Sequence, residues 1–100
     1  MIKHIVMWKL QDEVQGKTKA ENAKIIKESL EGLKDKVETL IDIEVGINLN
    51  KSEQAYDVVL YSTFNSLEGL EKYQKHPEHL KVATFVRSVV KSRVVVDYEA

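Results

Sequence analysis

The sequence predicts one α+β domain in which two crossover helical segments lie on a single face of a four-stranded antiparallel sheet. Three observations lead there. Three segments run with a period of two, a fourth is dense in β-branched and aromatic residues on both faces, and two helical stretches space their apolar residues by three and four. Their order along the chain is β-α-β-β-α-β, the split arrangement of ferredoxin-like sheets. With 100 residues, 43% hydrophobic and 31% charged, the chain fills a single domain over residues 1–100 and leaves no material for a second core.

Residues Ile2 to Leu10 alternate, with His4, Val6 and Trp8 on one face and Lys3, Ile5, Met7 and Lys9 on the other, and form the first strand. Thr18 follows a polar stretch through Gly16. Its hydroxyl can cap a helix, with Glu21 three residues on completing a capping box. Ala23, Ile26, Leu30, Leu33 and Val37 then mark one helical face, opposite a solvated face of lysines and glutamates. From Ile41 to Leu49 the period returns to two, which gives a second strand. Asn50 to Gln54 reads as a turn. Tyr56 to Phe64, rich in β-branched and aromatic residues on both faces, is a third and central strand. Asn65 and Ser66 can cap a second helix carrying Leu67, Leu70 and Tyr73 inward, and Pro77 interrupts it after His76. A further short helix, about Glu78 to Val89, should turn Leu80, Ala83 and Val86 inward. Arg93 to Tyr98 is the fourth strand, with Val94, Val96 and Tyr98 opposed to Arg93, Val95 and Asp97.

Helices on one side leave the other sheet face showing Ile5, Met7, Val59, Tyr61, Val94, Val96 and Tyr98 to water. A patch of that kind calls for a partner. Two copies laid sheet to sheet about a two-fold axis would cover it on both chains at once, so a homodimer through the open sheet face, a dimeric α/β barrel, is expected.

Composition narrows the function. A formal net charge of -1 supplies no broad positive field, so nucleic acid is not expected as a partner. The absence of cysteine excludes disulfides, thiolate catalysis and thiolate-bound zinc, and fits the cytoplasm. No apolar run approaches the roughly twenty residues of a membrane span, and no membrane partner is expected. The four glycines stand singly, without a nucleotide-binding fingerprint, and no cofactor is expected.

The densest chemical signal is Tyr73-Gln74-Lys75-His76-Pro77-Glu78-His79, where a helix ends at a proline. Imidazole and phenol both pass protons. The plainer reading makes Tyr73 core, His76 a helix cap and His79 solvated. His4 shares the inward face of Val6 and Trp8 and needs a hydrogen-bond partner, as a core group or as a pocket wall. Two imidazoles at His76-x-x-His79 could share an ion, but Pro77 disturbs the helix between them and no third ligand is near, so no metal site is assigned.

Ile2-Lys3-His4-Ile5-Val6, the Tyr-x-x-His-Pro-x-His run at 73–79, and the ending from Arg87-Ser88 to Asp97-Tyr98 together resemble the stress-responsive A/B barrel family, nearly end to end. The resemblance implies small homodimers of two packed ferredoxin-like sheets, each subunit with a cavity between helices and sheet. It also implies, from a plant polyketide cyclase of that family, a catalytic role for Tyr73 and His79 and a pocket-lining position for His4. Val58 and Arg93 depart from that enzyme's pattern, so neither its substrate nor its reaction carries over.

Two readings follow. In the first, the chain is a small-molecule-binding homodimer with a largely apolar cavity lined by His4, Val6, Trp8, Leu60, Tyr73 and His79. In the second it is a cofactor-free cyclase, isomerase or lyase of ketone-like substrates, with His79 as general base and Tyr73 as acid or oxyanion donor. A third, purely structural reading would require a cavity packed shut. Arg93 is expected at the cavity rim, where its guanidinium would favour a carboxylate, against a competing reading as a surface ion pair. Pro77 is what should let Tyr73 and His79 meet, since residues six apart on one straight helix diverge by about 120°.

Overall fold

Strand β1 (Ile2–Leu10) occupies an inner position of the sheet, and every other strand is placed relative to it. The computed structural model describes all residues from Met1 to Ala100. Its elements run β1, the two-residue strands β2 (Glu13–Val14) and β3 (Lys17–Thr18), α1 (Lys19–Glu31), a 3-10 turn (Gly32–Asp35), β4 (Leu40–Ile47), β5 (Val58–Phe64), α2 (Leu67–Lys75), α3 (Pro77–Val89) and β6 (Val90–Glu99). The main sheet has the order β4-β5-β1-β6 and every pairing in it is antiparallel. The fold is ferredoxin-like, as the periodicities predict.

Register sets the two faces. His4 lies opposite Ser62 and Asp97, Val6 opposite Leu60 and Val95, and Trp8 opposite Val58 and Arg93. That row faces the helices, where Val6, Trp8, Val45, Val58, Leu60 and Phe64 are buried. The opposite row carries Ile5, Met7, Val59, Tyr61, Val94, Val96 and Tyr98, all partly or largely exposed in the single chain. The open apolar face expected from the sequence is therefore present. β6 is a sheet edge that the helices do not reach, so even Val95, on the helix side, remains 48% exposed.

The opposite edge is protected. Glu31 accepts from the Val45 N–H at 3.0 Å and from Lys27 Nζ at 2.8 Å, while Lys27 also donates to the Val45 carbonyl at 2.6 Å. One helical pair thus occupies both backbone groups of an edge residue, a position from which another strand could otherwise add. The lysine contact, followed by the backbone N–H, holds the Glu31 carboxyl below the usual carboxylate range.

Several elements differ from expectation for identifiable reasons. The capping box forms, with Thr18 Oγ1 accepting from Glu21 N at 3.2 Å and Glu21 Oε1 accepting from Thr18 N at 3.1 Å. The α-helix nevertheless stops at Glu31, and a 3-10 turn carries the apolar stripe on to the buried Leu33 and Val37. The ribbon of β2 and β3 was not expected. Gln15 and Gly16 both have positive φ, 53° and 79°, as a two-residue hairpin turn requires, and strands of only two residues leave no periodicity to detect. β4 ends at Ile47, leaving Leu49 91% exposed. Leu67 and Leu80, expected inward, are exposed. Leu67 directly follows the Ser66 cap. α3 begins at Pro77, with His76 Nδ1 accepting from Glu78 N at 3.1 Å, and the phase set by that start turns Val82, Phe85, Val86 and Val89 to the core instead.

Candidate functional site

Between the sheet and α3 lies a cavity of about 230 Å³, walled mostly by apolar side chains. β1 contributes His4, Val6 and Trp8 to it, and β5 contributes Leu60. β6 adds Val90 and Arg93, α1 adds Leu30, and α3 adds His79, Ala83, Val86 and Arg87. Six residues singled out in the sequence, His4, Val6, Trp8, Leu60, His79 and Arg93, thus share one space.

His4 is 3% exposed and its Nδ1 lies 2.5 Å from Asp97 Oδ1, across 93 residues of chain. Because an ionised carboxylate only accepts, this contact places the imidazole proton on Nδ1 and leaves Nε2 as the unbonded nitrogen. The partner that a buried histidine needs is therefore on β6. Ser62 Oγ, fully buried, donates to the His4 carbonyl at 2.9 Å and fixes the strand beneath it.

His79 is tied in the same way by a backbone group. Its Nδ1 is 3.1 Å from the Gln74 carbonyl, so the neutral ring again keeps Nε2 free. Burial pushes the His79 pKa below the ordinary imidazole value of 6.5, outweighing the opposing Gln74 hydrogen bond, and the charges of His4, Arg87 and Arg93 act in the same sense as burial. His79 is neutral at pH 7.

The break at Pro77 does bring Tyr73 and His79 together, with ring centroids 4.5 Å apart at 50°. Yet Tyr73 is not part of the cavity wall: it is 0% exposed and packs on Phe64 at 5.1 Å, which reaches His4 at 6.5 Å. An aromatic file His4-Phe64-Tyr73-His79 therefore runs beside the cavity. The Tyr73 hydroxyl is buried with no hydrogen-bond partner, and burial raises its pKa far above that of free phenol. His76 stays apart from the cavity as the α3 cap.

The sequence profile of the stress-responsive A/B barrel domain matches residues 2–100. The chain belongs to the stress-responsive A/B barrel family. Among solved structures, a dimeric ferredoxin-like protein of unknown function from Bacteroides fragilis is 33% identical, with a TM-score of 0.79 over 99% of this chain and 95% of its own. A dimeric ferredoxin-like protein from Thermobifida fusca, 21% identical, superposes with a TM-score of 0.84 over 99% of this chain and 90% of its own. A hydroxynitrile lyase from Passiflora edulis, 17% identical, does so at 0.81 over 97% and 90%. At those lower identities the likeness is one of fold. No curated protein matches this chain closely enough in sequence to count as a relative.

Sequence reasoning missed five walls of this A/B barrel cavity. Four of them carried a signal: His79, Ala83, Val86, Arg87 and Val90 follow one another by four, three, one and three, a single stripe along α3 and its end. Having His79 in hand was enough to find the stripe. Leu30 reads in sequence only as core, and its contact with the cavity depends on how α1 packs.

Proposed function

We propose that the protein is a homodimer, paired through its open sheet face, that binds a small, largely apolar molecule in the cavity under α3. The observation that supports binding is the cavity itself: an apolar space with two histidines and two arginines converging on it is what a ligand site needs, and a structural role would have left it packed shut. The dimer rests on the apolar open face and on the dimeric Bacteroides fragilis neighbour. A binding screen of short ketones and phenols, followed by Trp8 fluorescence and the His79 ring resonances, tests it. Ligands should move both signals, and Ala83→Trp, which fills the space, should abolish the response with the fold retained. A library that leaves both signals unmoved would overturn the reading.

One observation favours a second reading, a cofactor-free lyase, isomerase or cyclase. His79 is neutral at pH 7 with Nε2 unencumbered, which is the state of a general base, and a structural neighbour of the same fold is a hydroxynitrile lyase. In this reading Nε2 removes a proton next to a carbonyl. Tyr73, buried outside the cavity wall, packs against the His79 ring and positions it rather than supplying the oxyanion donor. The depressed pKa fixes the direction of the pH profile. Activity should rise with pH through a midpoint below 6.5, and His79→Ala should remove turnover while ligand still binds. A profile rising only above pH 7 would rule His79 out as the base.

A further inference from the structure

The chain holds only two arginines among its fifteen basic residues, Arg87 and Arg93, and both line the cavity. They come from different elements, the last turn of α3 and the edge strand β6. None of the thirteen lysines contributes to the cavity wall, and neither does any aspartate or glutamate. Apart from the His4–Asp97 contact, every ion pair in the molecule uses a lysine. Neither guanidinium has a carboxylate partner. The one polar side-chain contact is a long one, from Arg87 Nη2 to Thr84 Oγ1 at 3.5 Å. Asp97, on the same strand as Arg93, is already taken by His4. The cavity therefore has an apolar interior and an uncompensated positive mouth built from the residue type whose planar fork matches a carboxylate through two parallel hydrogen bonds.

We propose that the ligand is a small monocarboxylic acid whose apolar body lies against Val6 and Trp8 and whose carboxylate is held between Arg87 and Arg93. This rests on the cavity being the ligand site, and it adds the ligand's charge and orientation. The volume of about 230 Å³ lies below the roughly 300–1,000 Å³ of drug-sized sites, which restricts the body to a single ring or a short chain. Burial is the main cause that disfavours protonation of His79, and both arginines of the mouth act in the same sense.

Matched acid and amide pairs provide the test. Phenylacetate with phenylacetamide, and octanoate with octanamide, are titrated into the intact protein and followed by backbone amide NMR. Each acid should bind about ten-fold more tightly than its amide, the effect of a charge-assisted contact worth about 1.4 kcal/mol. Arg87→Gln and Arg93→Gln should each bring the acid toward its amide while leaving amide affinity unchanged. Lys24→Gln, on the exposed side of α1, should leave the ratio as it was. Equal binding of acids and amides would overturn the carboxylate inference and leave the cavity reading standing. Loss of acid preference in Lys24→Gln as great as in the arginine variants would likewise overturn it, as an effect of net charge. No binding of any of the four would overturn both.

Discussion

Val59→Lys is expected to turn the proposed dimer into a monomer while leaving each domain folded. Val59 lies at the middle of the open face, between Met7 on β1 and Gly46 on β4, so no helix covers it and a lysine there has open solvent in the single chain. In a pair of sheets packed face to face the same ammonium would lose its water against apolar neighbours, at a cost of several kcal/mol. Even about 3 kcal/mol would raise Kd by roughly two orders of magnitude. Sedimentation velocity at micromolar concentration should show the unmodified chain at twice the monomer mass and the variant at the monomer mass, with identical far-UV circular dichroism. An unmodified chain that sediments as a monomer, or a variant that remains dimeric, would remove the open face as the interface.

Phe64→Ala should cost the most stability of any single truncation near the site. The ring is fully buried and packs between His4 and Tyr73, so its removal leaves a cavity next to two groups whose positions it sets. Truncations of this kind cost about 3–5 kcal/mol, against a total of about 5–15 kcal/mol for a domain. At about 4–8 °C per kcal/mol for a chain of this size, the midpoint of thermal unfolding should fall by more than ten degrees. Phe64→Leu, which keeps most of the volume, should stay folded but loosen the aromatic file, broadening the His79 ring resonances. A drop of only a few degrees in Phe64→Ala would mean that the file is not packed as described.

What the sequence could reveal here depended on how local the cause was. Strand faces are a period-two property, so the inward row of His4, Val6 and Trp8 and the outward row of Ile5 and Met7 are legible from neighbouring residues alone. The same holds for the Thr18 capping box and the break at Pro77. Leu67 and Leu80 were misread because both sit in the first turn of a helix, where the cap sets the phase before any stripe accumulates. The depth of Tyr73 was beyond reach for another reason. A tyrosine on an inner helical face can end at a cavity or beneath one, and packing on Phe64, from a different element, decides between them. The acid that satisfies His4 lay 93 residues away, and only the pairing of β1 with β6 brings it there.

That pairing also governs when the site can exist. Within this sheet β1 is the first strand to be synthesised and β6 the last, yet β1 sits between β5 and β6, with Ile2 opposite Glu99. Closing so long a loop must precede the contacts that reward it, which slows folding relative to helical chains of similar length. Through synthesis β1 therefore has an unfilled side, and His4 has no acid beside it. The cavity gains its Arg93 wall in the same final event, so a chain lacking β6 has neither the acid that holds His4 nor the second arginine of the mouth.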